Sequence, residues 1–191
     1  MNDFDKNGYL VIKNVISKDL CSFGLDYLDL LHKNGYLPHK DNKYLSGIYY
    51  EGTSLYGDVL LLKILKIIEE NINIELVPTY SMARLYEKGS VLKPHLDRHA
   101  CEVSCTLHLG SINCNSSWPI YLNDLNNKEV MITQSPGDII IYRGTELKHW
   151  RDKFVDMGVH YQMFLHYIEK SGKYKNYDYK KLVSGLINDN L

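Results

Sequence analysis

From Thr79 onward the chain breaks into short runs of β-branched and aromatic residues divided by turn formers, and that texture restricts it to an antiparallel sandwich or barrel. The runs fall at 79–87, 91–96, 102–109, 119–122, 129–133, 138–142 and 159–168. Between them stand Lys88-Gly89-Ser90, 113–117, 123–127 and Ser135-Pro136-Gly137, so no connection needs the long crossover helix that parallel strands require. Antiparallel pairing follows. With seven or eight such strands, a double-stranded jelly roll is the natural closure.

The preceding third has a different rhythm. Residues 8–16 (GYLVIKNVI) read as a short strand, after which Ser17 offers an N-cap to a helix carrying Leu20, Phe23, Tyr27, Leu28 and Leu31 at helical spacing. Asn34-Gly35 is its expected stop. A second helix is expected over 58–70, with Leu61, Ile64, Leu65 and Ile68 on one side and Lys63, Lys66 and Glu70 toward water. Both read as scaffold. At 191 residues the chain has the size of one domain, mainly β with flanking helices (α+β): a helical support region over 1–78, a jelly-roll core over 79–168 and a tail over 169–191. The basic, tyrosine-rich stretch 170–181 (KSGKYKNYDYKK) is read as a solvated or covering segment.

A formal net charge of −1, with 45% hydrophobic and 24% charged residues, argues against a disordered chain and against duplex nucleic acid as a partner. The polar, acidic beginning (1–9) and the lack of any apolar run near the ~20 residues that span a bilayer make a cytoplasmic protein with no membrane partner the expectation. In that setting Cys21, Cys101, Cys105 and Cys114 are expected as reduced core thiols.

The chemistry begins at His95-Leu96-Asp97. In extended chain, residues two apart share a face at ~6.6 Å, so the imidazole and the carboxylate can converge on one ion while Leu96 turns into the opposite layer. His149 lies far along the chain, beyond the turn at Ser135-Pro136-Gly137 and the apolar strand it feeds. A ligand from there completes a 2-His-1-carboxylate face with open positions for co-substrate and oxygen, the arrangement that suits Fe(II). A zinc site from Cys101, Cys105, His108 and Cys114 is disfavoured, because on one strand Cys101 and Cys105 would stand ~13 Å apart. His99, His108, His160 and His166 are read as core or edge histidines, though His108 and Gln162 would line a pocket if their strands face inward.

These residues resemble the catalytic core of the Fe(II)/2-oxoglutarate-dependent dioxygenases, nearest the prolyl-4-hydroxylase-like branch. The matching features are Arg84-Leu85-Tyr86, the turn at Gly89, His95-x-Asp97, the Pro136-Gly137-Asp138 turn before an apolar strand, and His149 followed by a last strand; 4–17 resembles the start of such chains. The resemblance implies a jelly roll holding Fe(II) through His95, Asp97 and His149, with 2-oxoglutarate and O2 as co-substrates and ascorbate as a supporting reductant. It also implies oxidation, usually hydroxylation, of a peptide prolyl residue, a free amino acid or another small metabolite, with release of succinate and CO2. Retention of Asp97 separates the chain from halogenating relatives, which replace this carboxylate with a small residue.

Such proteins usually anchor the far carboxylate of 2-oxoglutarate with an arginine or lysine on the strand after the distal histidine. Here the matching position holds His160, while Arg151 and Lys153 are the cations nearest His149. Tyr86, nine residues before His95, is a hydroxyl donor for that carboxylate, and Arg84 shares its strand face. Tyr86, Arg84, Arg151 and His160 are therefore the co-substrate candidates, against the alternative that Arg84 sits at a strand edge in solvent and Arg151 caps a loop. Segments 40–53 and 113–118 are candidate covers of the site. Two other classes remain beside an oxygenase: a non-catalytic jelly-roll domain that binds a metal or small molecule, and a cupin-type metalloenzyme such as an isomerase.

Overall fold

A computed structural model describes residues 2–39 and 42–176. Its helices are α1 (Asp3–Asn7), α2 (Lys18–Lys33), α3 (Leu55–Lys63) and α4 (Leu65–Ile72). Its strands are β1 (Tyr9–Ile12), β2 (Leu45–Ser46), β3 (Tyr49–Gly52), β4 (Leu76–Tyr86), β5 (Val91–His95), β6 (Val103–Ile112), β7 (Ile120–Asn123), β8 (Glu129–Ile132), β9 (Ile139–Arg143), β10 (His149–Arg151) and β11 (Val159–Glu169).

The strands build a six-stranded sheet in the order β1-β9-β6-β11-β4-β3 and a five-stranded sheet in the order β2-β5-β10-β7-β8. Every pairing is antiparallel. From β4 to β11 the chain deals strands to both sheets, β4, β6, β9 and β11 to the larger and β5, β7, β8 and β10 to the smaller, which is the expected jelly roll.

The larger sheet is buried on both faces, so its strands read as near-continuous apolar runs. One face meets the helices: Val103, Cys105 and Leu107 of β6 and Met163 and Leu165 of β11 share a core with Leu28, Leu60, Leu61, Ile64 and Ile68. Full burial of one such leucine contributes about 1.5–3 kcal/mol. The other face turns Ser104, Thr106, His108, Gln162 and His166 toward the space between the sheets, where buried polar groups need partners. Gly57 allows α3 to lie on β4, since a Cβ there would meet Ser81 Oγ at 2.6 Å.

Local signals set several boundaries. Ser17 caps α2 by accepting from Leu20 N at 3.3 Å, and Asn34 ends it, both as expected. The helix expected over 58–70 is two helices: Ser54 caps α3 four residues before that start, and the chain breaks at Ile64 before α4. Residues 42–53, read as a loop, contain β2 and β3, which form through edge pairing with β5 and β4 rather than through their own alternation. Of the basic stretch at 170–181, Lys170 pairs with Glu75 at 3.0 Å and Tyr174 stacks on His99 at 4.4 Å, while residues 177–191 lie outside the described residues. Among the described residues no helix is long and apolar enough to cross a membrane.

Candidate metal centre

β5 and β10 are antiparallel neighbours in the smaller sheet, and their register sets His149 directly opposite His95. The two imidazoles thus form a cross-strand pair with ring centroids 4.3 Å apart. Asp97 follows where the chain has left β5, its backbone N–H donating to Gly144 O at 2.8 Å. Its Oδ1 lies 3.7 Å from His95 Nε2 and 3.6 Å from His149 Nε2. Among the described residues these three form the one group of ligand types whose donor atoms all lie within 4.8 Å of one another. Leu96 does not enter the opposite layer; it is 47% exposed and lines the cavity beside the group.

Hydrogen bonds fix which atoms face inward. His95 Nδ1 donates to Lys93 O at 2.8 Å and His149 Nδ1 donates to Leu147 O at 3.0 Å. A carbonyl only accepts, so each ring donates through Nδ1 and turns Nε2 toward Asp97 Oδ1, with the Tyr142 hydroxyl 3.4 Å from His149 Nε2. Ser104 Oγ donates to Asp97 Oδ2 at 2.7 Å and stands 3.0 Å from His166 Nδ1. Its single proton goes to the carboxylate, so His166 Nδ1 donates to Ser104. Burial pushes His95 down to about 4, helped by His149, so the ring is neutral. Burial opposes ionisation of Asp97, but His149, His166 and the Ser104 hydrogen bond outweigh it and hold the carboxyl below its usual range. Two imidazole nitrogens and one anionic oxygen facing one point suit a divalent, redox-active ion.

The group opens onto a cavity of about 330 Å³, walled by Glu51, Tyr80, Met82, Arg84, Phe164 and His166 among others. Arg84 points inward with Tyr86 on its strand, and its Nε donates to Glu51 Oε2 at 2.7 Å. With the two side chains only 11% and 13% exposed, the alternative of an edge arginine in solvent is corrected. Burial works against the charge on the Arg84 guanidinium, but Tyr86 and Glu51 beside it hold the group charged.

Arg151 follows His149 by two residues on β10, shares the inward face and is 1% exposed, and its Nη groups bond the loop residues Trp118 and Gln134, as the loop-capping alternative had it. Its guanidinium lies 4.9 Å over the Trp118 ring, and Nη1 donates to Trp118 O at 2.6 Å. Nε has no partner, and burial pushes the group down to about 10 without a carboxylate beside it. Tyr86 packs edge-on against the same Trp118 at 4.9 Å, its buried hydroxyl unpartnered. His160 bonds Ser111 and Gln162 through its two nitrogens, and burial drives it far below its usual range. It is a neutral group whose two nitrogens are already bonded. His108 stacks on it at 4.3 Å with its own Nδ1 unpartnered.

Unpartnered buried polar atoms are rare, and three of them gather around Trp118 and His160. A guanidinium Nε, a phenol hydroxyl and an imidazole nitrogen without partners can meet a carboxylate, the group at each end of a dicarboxylate. Segment 40–53 does reach the site, supplying Asn42, Tyr44 and Glu51 to the cavity wall, whereas 113–118 contributes Trp118 to the interior. Ser104 and Glu51 were not singled out from the sequence, and His166 was read only as a core or edge histidine. Ser104 and His166 had a signal in the inward face they share with His108 and Gln162; Glu51 had none, since its strand forms only by pairing.

No family model matches the sequence, and no curated protein matches it. Solved structures do. A prolyl-4-hydroxylase of Pseudomonas putida superposes with a TM-score of 0.69 at 13% identity, covering 87% of this chain and 95% of that one. HygX of Streptomyces hygroscopicus, with nickel, 2-oxoglutarate and hygromycin B bound, gives 0.67 at 15% identity over 88% and 85% of the two chains. The non-haem alpha-ketoglutarate-dependent epimerase SnoN from nogalamycin biosynthesis gives 0.72 at 11% identity over 87% and 79%. The chain shares the fold of these enzymes, a prolyl-4-hydroxylase included.

Proposed function

We propose that this chain is an Fe(II)- and 2-oxoglutarate-dependent oxygenase that hydroxylates an organic substrate, whether a peptide prolyl residue, a free amino acid or a related small metabolite. The observation that carries the reading is the pairing, on one face of one short strand, of a metal-ligand histidine and a fully buried arginine with no acid beside it: His149 and Arg151. In this reading His95 Nε2, His149 Nε2 and Asp97 Oδ1 hold the iron. Arg151 and the Tyr86 hydroxyl receive the distal carboxylate of 2-oxoglutarate, whose negative charge compensates the guanidinium. His160 and His108 close the wall around it. Arg84 is already neutralised by Glu51, which supports Arg151 over Arg84 as the anchor.

When bound, iron with 2-oxoglutarate and O2 supplies an oxidative decarboxylation: CO2 leaves, one oxygen atom ends in succinate and the other enters a substrate C–H bond. The protein's part is to turn both Nε2 atoms toward Asp97 Oδ1, hold Asp97 ionised through Ser104, and exclude water with Trp118, Phe154 and Phe164. The test is incubation with Fe(II), 2-oxoglutarate, ascorbate and air, following succinate in wild type and His95→Ala. Succinate formed by wild type and lost in the variant supports the oxygenase. No succinate together with no metal-dependent 2-oxoglutarate binding by calorimetry favours a non-catalytic binding domain.

A further inference from the structure

Arg84 and Glu51 stand directly opposite each other on β4 and β3, at the edge of the larger sheet, and both line the cavity that the metal ligands face. Their single hydrogen bond runs from Arg84 Nε to Glu51 Oε2, so neither the Nη edge of the guanidinium nor Glu51 Oε1 takes part in it. An ion pair shielded from water adds little net stability over apolar residues of the same volume, and this one lies among Met82, Leu92 and Phe164, which would pack readily against such a replacement. Its charges sum to zero. A ligand of net charge bound there would leave Glu51 or Arg84 uncompensated, whereas a ligand carrying one carboxylate and one ammonium satisfies both together.

We infer that the Arg84–Glu51 pair is a dipolar subsite for a free α-amino acid, with the substrate carboxylate on the Nη edge of Arg84 and the substrate ammonium on Glu51. The inference rests on the oxygenase reading and narrows its substrate class. A residue inside a peptide carries neither charge, and a cavity of about 330 Å³ is at the small end for ligand sites, which run from roughly 300 to 1,000 Å³. Met82 and Phe164 supply apolar wall for the side chain to be oxidised.

The test uses protein loaded anaerobically with Co(II), whose visible absorption reports changes around the metal. 2-Oxoglutarate is added first, then each of the twenty free amino acids, and then the N-acetyl amide of any that binds. The expected result is a spectral change with at least one free amino acid, absent with its capped form, and a matching rise of tenfold or more in succinate release by the Fe(II) enzyme in air. Arg84→Gln and Glu51→Gln each raise the half-saturating amino acid concentration by about 10- to 100-fold while 2-oxoglutarate half-saturation stays within twofold. Because either single change leaves one charge unpaired, the double variant Arg84→Met/Glu51→Leu is measured beside them; it keeps the 2-oxoglutarate spectrum and loses the amino acid response. Normal 2-oxoglutarate binding with no amino acid response, or an equal response to capped forms, overturns the inference alone. Failure of 2-oxoglutarate to perturb the Co(II) spectrum overturns the oxygenase reading and this inference with it.

Discussion

Ser104 Oγ donates to Asp97 Oδ2 at 2.7 Å, and this bond leaves Oδ1 as the carboxylate oxygen that faces both imidazoles. One hydroxyl on β6 therefore holds the carboxylate that lies just beyond β5, so that a single oxygen faces the imidazoles. Ser104→Ala is expected to weaken metal binding by about 10- to 100-fold, as loss of a ligand's outer hydrogen-bond partner does elsewhere. Titration calorimetry with Co(II) reads it, and unchanged affinity would remove Ser104 from the site.

Gly144 stands at the same place. A Cβ there would meet Cys101 O at 2.2 Å, Ser104 Oγ at 2.6 Å and Asp97 Oδ2 at 2.7 Å. The first contact is backbone and cannot swing away, so Gly144→Ala is expected to cost about 1–3 kcal/mol of stability and to displace Asp97. Chemical denaturation measures the first effect and Co(II) affinity the second.

His95→Ala and Asp97→Ala are expected to abolish Fe(II)-dependent succinate formation with the fold intact, since neither side chain belongs to an apolar core cluster. Circular dichroism checks the fold. Substantial turnover in both variants would sink the ligand assignment.

Arg151→Met is expected to raise the dissociation constant for 2-oxoglutarate by at least about tenfold while leaving the unfolding temperature of the apoprotein equal or higher, because it removes a buried charge that has no acid partner. Tyr86→Phe is expected to raise the same constant more weakly, by loss of one neutral donor. If Arg151→Met leaves 2-oxoglutarate binding unchanged, the co-substrate lies elsewhere.

Acid is expected to destabilise the apoprotein. Burial pushes His108 and His166 down to about 4, from 6.5 in unfolded chain. The unfolded state then binds more protons than the folded one between those values, so stability is full above about pH 6.5 and falls as pH drops toward 4. Unfolding temperatures across pH 7.5 to 4.5 at constant ionic strength measure it; a flat profile would mean that these rings are not buried neutral.

Much of this protein is written in local sequence. Alternation and turns between Thr79 and Ile168 specify seven of the eight antiparallel strands from β4 to β11, Ser17 and Asn34 bound α2, and His95 with Asp97 can share an ion because extended chain repeats every two residues. Those features depend on neighbours in the chain. The site's charges do not. Arg84 and Arg151 are alike in sequence, and only pairing separates them: β3 brings Glu51 to the first, whereas β10 carries the second into an interior with no acid. β10 is three residues long and exists because β5 and β7 flank it, so no periodicity announces that His149 faces His95 or that Arg151 follows it inward. Which oxygen of Asp97 is free depends likewise on β6 lying across the barrel from β5. Electrostatic compensation and hydrogen-bond partnership are set by distances across the fold, and only the tertiary structure decides them.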